Sequence, residues 1–101
     1  MDIEKSKALA QELVEGFIAR GVSKPRTAHA VARLPLDDRK QVQGDVEKLR
    51  DNDEAVPTSG EITREGILVE FLARPNLNPI AFEHTLAGPP ASNLSAKKRH
   101  F

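Results

Sequence analysis

The chain has 101 residues and contains no cysteine, no tryptophan and no tyrosine; four phenylalanines are its large aromatic residues. Without cysteine, the protein cannot form disulfides, use thiolate chemistry or build a zinc site on sulfur, and this composition fits a reducing compartment. Stacking surfaces for single-stranded nucleic acid or for sugars need exposed aromatic rings, and few are available here. The core is therefore expected to consist mainly of Leu, Ile, Val and Ala.

The sequence also lacks an excess of charge of either sign and any long apolar run. Fifteen Lys and Arg residues balance fifteen Asp and Glu residues, so the whole chain has no general attraction to nucleic acid or anionic membranes. No stretch approaches the roughly 20 apolar residues of a membrane span. The charged first sixteen residues lack the apolar segment of a signal peptide. These features predict a cytoplasmic protein that does not bind membranes.

Apolar periodicity, capping residues and helix breakers predict an all-α fold: a compact bundle of about five short helices in a single domain, residues 1–88. The Pro/Ser-rich basic segment 89–101 is predicted to be a disordered, flexible tail. The expected helices cover residues 2–20, 23–34, 37–50, 58–74 and 78–87. Their expected N-caps are Asp2, Ser23, Asp37, Thr58 or Ser59, and Asn78, with Gly21 and Gly88 as C-terminal stops.

Two of the predicted helices are unusually apolar. The first carries apolar residues over about half of its circumference and is expected to pack against two neighbours, the alternative being that part of this face binds a partner. The fourth leaves only a narrow polar edge at Thr63, Gly66 and Glu70, which places it at the centre of the bundle, while the third, with a thin apolar face, lies outside. Gly16 and Gly66 are expected to permit a close crossing of the two central helices. The alternative for residues 67–73 is a β-strand, since the segment is rich in β-branched residues.

The predicted fifth helix is short and is expected to be anchored in the core by three apolar residues, Ile80, Phe82 and Leu86.

Residues 21–34, GVSKPRTAHAVARL, contain a candidate DNA-binding element, in which Gly, Val and Ser precede a short basic helix. This part is similar to the Gly-Val-Ser turns of bacterial helix-turn-helix repressors, over about ten residues. The segment departs from that pattern in two ways. Arg26 and Thr27 are polar where the second helix should face the core, and Phe17 stands where a small residue normally lets the two helices approach. No family is assigned on this resemblance.

Charges are segregated along the chain. No acidic residue lies between Glu15 and Asp37, whereas residues 41–70 hold eight acids against three basic residues. Three binding surfaces for the basic segment are therefore considered. They are an acidic surface of a partner protein, DNA, and the acidic region of the same chain or of a second copy. The candidate partner-binding residues are Arg20, Lys24, Arg26, His29 and Arg33.

No motif for catalysis or for cofactor or metal binding is found in the sequence. The three histidines, His29, His84 and His100, lie on separate segments without ligand spacing. The acidic segment 51–62 lacks the oxygen ligands and the glycine of a calcium loop. Phosphate-binding loops and nucleophile elbows are also missing. We therefore expect no catalytic, cofactor or metal site.

The sequence thus predicts a small non-enzymatic adaptor, inhibitor or regulator that binds another protein through helical surfaces, as a monomer or small homo-oligomer. The alternative is a DNA-binding transcriptional regulator with a degenerate helix-turn-helix around residues 21–34. A third and weaker hypothesis is a structural or assembly subunit.

Overall fold

A computed structural model of the protein describes residues 1–88. This range contains five α-helices and no strand, which confirms the all-α prediction. Helix α1 continues directly into a π-helical turn, Val14–Ile18. The α-helices are α1 (Ile3–Leu13), α2 (Pro25–Ala32), α3 (Leu36–Asp51), α4 (Ser59–Ala73) and α5 (Pro79–Ala87). The strand alternative for residues 67–73 is wrong, because they belong to α4. The predicted disordered tail, 89–101, lies outside the described residues.

Local capping signals define most helix ends where the sequence placed them. The Asp2 side chain accepts from the backbone N–H of Glu4 at the start of α1. Thr58 and Glu61 form a reciprocal capping box at the start of α4. The Asn78 side chain accepts from two backbone N–H groups of α5. Positive φ angles of 83° at Gly21 and 79° at Gly88 end their helices in a conformation that favours glycine.

Two predicted N-caps, Ser23 and Asp37, are wrong. Lys24 precedes α2 without a side-chain capping bond, and α3 begins at Leu36, after Pro35. In both cases a proline fixes the helical start, since Pro25 is the first residue of α2 and Pro35 is the residue before α3. Asp37 instead lies in the first turn of α3, where the helix dipole still favours its charge.

The core draws on all five helices. The first helix has three neighbours and not the predicted two, because α1 packs against α2 and α3 and the π-helical turn packs against α4. Helix α3 also packs against α4, and α2 against α5. The rings of Phe71 in α4 and Phe82 in α5 lie 5.0 Å apart, centroid to centroid. The buried apolar residues are Leu9, Ala10, Leu13, Phe17, Ile18, Ala28, Val31, Ala32, Val42, Val46, Leu68, Leu72, Phe82 and Leu86.

The predicted positions of α3 and α4 are wrong. Helix α4 fully buries only Leu68 and Leu72, and its Ile62 and Ile67 remain 58% and 39% exposed. Helix α3, predicted to lie outside, packs against both α1 and α4 and buries an arginine, Arg39, together with two valines. Its thin apolar face suffices because this arginine fills a core position.

Two smaller predictions about packing are also wrong. Ile80 is 60% exposed, so Phe82 and Leu86 alone anchor α5. A Cβ atom placed on Gly66 would meet no atom of residues 1–88 within 4 Å, so this glycine does not serve a crossing between the described helices.

None of the helices in residues 1–88 has both the length and the apolar character needed to cross a bilayer.

Candidate interaction surface at the turn before α2

The turn between the first helix and α2 is held by a very close backbone contact at Gly16. A Cβ atom placed on Gly16 would lie 2.8 Å from the carbonyl oxygen of Val22 and 3.1 Å from the Cα of Ser23. Real Cβ atoms essentially never come as close as 2.8 Å to another heavy atom, so only glycine fits here. A helix-turn-helix needs a small residue at the position where this sequence has Phe17. In the structure, Gly16, one position earlier, takes that role.

The π-helical turn explains this shift by one residue. The N–H of Ala19 donates to the carbonyl of Val14, five residues back, instead of four as in an α-helix. This arrangement points Phe17 into the core and Gly16 toward the turn, where the Val22 N–H donates to its carbonyl. The sequence departure at Phe17 is thus compensated in the fold.

The inner face of α2 packs into the core although its sequence includes a polar residue, Thr27. Thr27 is buried, and its hydroxyl donates to the carboxylate of Glu12 in α1. Ala28 and Val31 are fully buried beside it, while Arg26 is exposed. Thr27 therefore does face the core, because a carboxylate from the preceding helix satisfies its hydroxyl.

His29 and Arg33, two of the candidate partner-binding residues, are engaged within the chain. Both approach the carboxylate of Glu83 in α5: Arg33 donates to it, and the His29 Nδ1 lies 3.4 Å from the same oxygen. The hydrogen bond from Arg33, supported by its charge and by His29, holds the pKa of Glu83 below its ordinary value, against the opposing effect of desolvation. The basic helix is thus complemented by α5, not by the acidic region 41–70.

The other three candidates, Arg20, Lys24 and Arg26, are exposed around the turn, and we call them the basic edge. Arg20 donates from Nε to the carbonyl of Glu15 at 3.2 Å. Within residues 1–88, none of the three forms an ion pair with a carboxylate. The fold therefore leaves three unneutralised cations within seven residues of sequence.

The end of α5 lies against the same turn. A Cβ atom placed on Gly88 would come within 3.1 Å of the Gly21 carbonyl oxygen and 3.2 Å of the Val22 Cβ. The chain continues from Gly88 into a segment whose sequence includes Lys97, Lys98 and Arg99. The described part of the chain therefore ends beside the basic edge.

The sequence did not predict that Glu83 pairs with the basic helix, although one feature of the sequence points to it. It is the only acidic residue after Glu70, so it is the only carboxylate that α5 can offer to a basic neighbour. Pairing across 50 residues of sequence, as between Arg33 and Glu83, cannot be derived from local spacing.

The contribution of this ion pair to stability should depend on pH. Since the folded-state pKa of Glu83 lies below its ordinary value of about 4.5, the stabilisation is complete above that value and is lost as the pH falls through the folded-state pKa. Urea unfolding at pH 7 and pH 3 should therefore show the stability difference between wild type and Glu83→Gln shrinking at pH 3. Glu70→Gln, which removes an exposed pair with Arg74, is the control. A difference that is unchanged between the two pH values contradicts the assignment.

A shallow groove lies between α1 and α3, with a volume of about 290 Å³. Among residues 1–88, no three His, Asp or Glu side chains come together as a metal site would require. The groove is lined by Lys7, Gln11, Asp45, Lys48, Leu49 and Asn52.

Compared with protein-family models, with curated proteins and with solved structures, the chain matches none of them.

Proposed function

We propose that the protein is a non-enzymatic adaptor, inhibitor or regulator, and that its basic edge, Arg20, Lys24 and Arg26, binds an acidic surface of a partner protein. One observation carries this proposal: these three cations are exposed and unpaired among the described residues, whereas the neighbouring His29 and Arg33 are held by Glu83. Charged patches of this kind speed association with a complementary surface and set its orientation. The lack of cysteine supports a cytoplasmic location.

Two features favour a protein partner over DNA. Glu83 binds the exposed side of α2, the side that a DNA-reading helix presents to the major groove, and its carboxylate would repel phosphates. Residues 1–88 also carry a net charge of −3, because they hold twelve basic residues (fifteen less Lys97, Lys98 and Arg99) against fifteen acids. Specific DNA-binding domains usually carry a clear basic excess.

The alternative, a DNA-binding regulator, is supported by the turn geometry. The close contact at Gly16 and the burial of Thr27, Ala28 and Val31 give the segment 16–34 the tight turn and buried second helix that such a motif requires. On this alternative, Lys24 and Arg26 at the start of α2 would contact phosphates or base edges.

Charge reversal at the basic edge should weaken binding to the partner protein. Arg26→Glu is expected to reduce partner capture about tenfold, mainly by slowing association. The measurement is quantitative mass spectrometry of proteins captured from nuclease-treated lysate of the native host by wild type and variant. Lys40→Glu, the same charge change at an exposed site on α3, is the matched control and should capture the partner normally. Equal capture by all three proteins contradicts the proposal.

A gel shift with random duplex DNA at low salt tests the alternative directly. Submicromolar binding that is lost in Arg26→Glu and retained in Lys40→Glu would favour the DNA-binding regulator and reject the protein-binding proposal, since phosphate contacts dominate such affinity. The protein-binding proposal expects no shift.

A further inference from the structure

Helix α4 presents an exposed face that contains two isoleucines and small residues. Ile62 and Ile67 are 58% and 39% exposed, and Thr63 and Gly66 between them are exposed as well. At 100° per residue, Ile62 and Gly66 lie on one side of the midline of this face, and Thr63 and Ile67 on the other. We call it the α4 outer face: Ser59, Ile62, Thr63, Gly66, Ile67 and Glu70.

Gly66 has no explanation in the contacts of residues 1–88. A mid-helix glycine destabilises a helix relative to alanine, and a Cβ atom on Gly66 would meet nothing within 4 Å. Its neighbours Ile62, Thr63 and Ile67 are β-branched and are also weaker helix formers than alanine. A face that costs helix stability and exposes two large apolar side chains has the properties of a contact surface.

We propose that the α4 outer face is a homodimer interface, in which the α4 helices of two copies pack antiparallel about a two-fold axis midway between Arg64 and Glu65. Such an axis, perpendicular to both helices, brings residues on one side of the midline next to residues on the same side in the second copy. Along the helix, the two sets run in opposite order. Ile62 therefore lies opposite Gly66 of the second copy, and Ile67 opposite Thr63 of the second copy. Each large side chain meets a small one, which permits close packing of the two helices.

The charges at the two ends of α4 also complement each other in this arrangement. Glu70 lies opposite Ser59 of the second copy, at the N-terminus of that α4 helix, where the helix dipole favours a carboxylate. Within its own chain, Glu70 is also paired with Arg74 at 2.6 Å. A parallel arrangement would instead place Glu70 against Glu70 of the second copy, where the two carboxylates repel each other. These contacts favour an antiparallel pair of identical chains as the occupant of this face.

The interface is small, because one helix face buries less than the about 800 Å² per partner of a standard complex. The dimer is therefore expected to be weak, with a dissociation constant in the micromolar range. It uses a different surface from the basic edge, so Arg26→Glu should leave it unchanged.

Sedimentation velocity of the whole chain, from low micromolar to about 1 mM, tests the proposal with two glycine variants. Gly66→Ala and Gly44→Ala both add a Cβ in open space within a helix, so both should raise the unfolding midpoint of the dilute protein by about 5 °C. Only Gly66→Ala should weaken the dimer, by about tenfold, since its methyl group occupies the space for Ile62 of the second copy. A purely monomeric role for Gly66 predicts the stabilisation without the effect on association.

A second pair of variants tests the apolar contact. Ile62→Glu should abolish the dimer, whereas Ile80→Glu, at an isoleucine of nearly equal exposure (60%) on α5, should not. A wild-type chain that stays monomeric at the highest concentration overturns the proposal. Dimerisation that is unaffected by both Gly66→Ala and Ile62→Glu overturns it as well, because the contact would then lie elsewhere.

Discussion

Replacing Arg39 with methionine is expected to lower the free energy of unfolding by about 3–5 kcal/mol. The Arg39 side chain is buried, and the whole residue is only 4% exposed. Its Nη1 donates to three carbonyl oxygens at the C-terminal end of α4, and its Nε donates to the carbonyl of Leu34 at 3.1 Å. The three acceptors are Phe71 at 3.0 Å, Leu72 at 3.2 Å and Arg74 at 2.8 Å.

The Arg39 guanidinium supplies N–H donors to backbone carbonyls at the C-terminal end of α4. The last carbonyls of an α-helix lack their usual N–H partners four residues later, and the dipole concentrates negative potential there, so a cation is favoured at this point. Burial lowers the pKa of Arg39, but an arginine remains charged at neutral pH. Methionine fills a similar volume but donates no hydrogen bond, so the buried Leu72 carbonyl loses the guanidinium as its donor, whereas the Phe71 carbonyl keeps the backbone N–H of Arg74 at 3.2 Å.

Urea unfolding followed by circular dichroism measures this loss, and Arg64→Met provides the comparison. Arg64 donates in the same way to the carbonyls of Ile18 and Ala19, at 2.8 and 3.3 Å, but it lies nearer the surface. We expect its loss to cost about 1 kcal/mol, since water can replace it. If Arg39→Met costs no more than Arg64→Met, the buried guanidinium is not a main support of the fold.

Arg39 also shows why the sequence misplaced α3 and α4. Apolar periodicity counts an arginine as a surface residue, so α3 was predicted to lie outside, and the more apolar α4 at the centre. The carbonyls that make Arg39 a core residue come from α4, more than 30 residues later in the sequence, and no local pattern reveals them. The caps at Thr58 and Asn78, in contrast, depend on residues two or three positions away, and the sequence predicts them.

The candidate interaction surface follows the same division. The segregation of charge in the sequence identifies the five basic candidates, because charge is a local property of the segment. It cannot distinguish the two that bind Glu83 from the three of the basic edge, since that distinction depends on how α2 packs against α5. The π-helical turn that moves Gly16 to the close contact has no signal in apolar spacing, because it changes the register by a single residue.

Gly16 gives the second large expected effect: Gly16→Ala should destabilise the protein by about 2–3 kcal/mol. Alanine in a helix is normally favoured over glycine by about 1 kcal/mol, so the steric cost must exceed this gain. The new Cβ would lie 2.8 Å from the Val22 carbonyl oxygen and 3.1 Å from the Ser23 Cα, and both are backbone atoms that cannot rotate away. The turn has to move as a unit, together with the bond from the Ser23 N–H to the carbonyl of Leu86.

Gly44→Ala, in the middle of α3 and free of neighbours within 4 Å, is the matched control and should stabilise the protein by about 1 kcal/mol. The same substitution is thus expected to have opposite signs at two helical glycines, as measured by urea unfolding of both variants. Because Lys24 and Arg26 follow directly on the turn, Gly16→Ala should also weaken partner capture at temperatures where it remains folded. A Gly16→Ala protein as stable as Gly44→Ala would show that the turn yields without cost and does not fix the position of the basic edge.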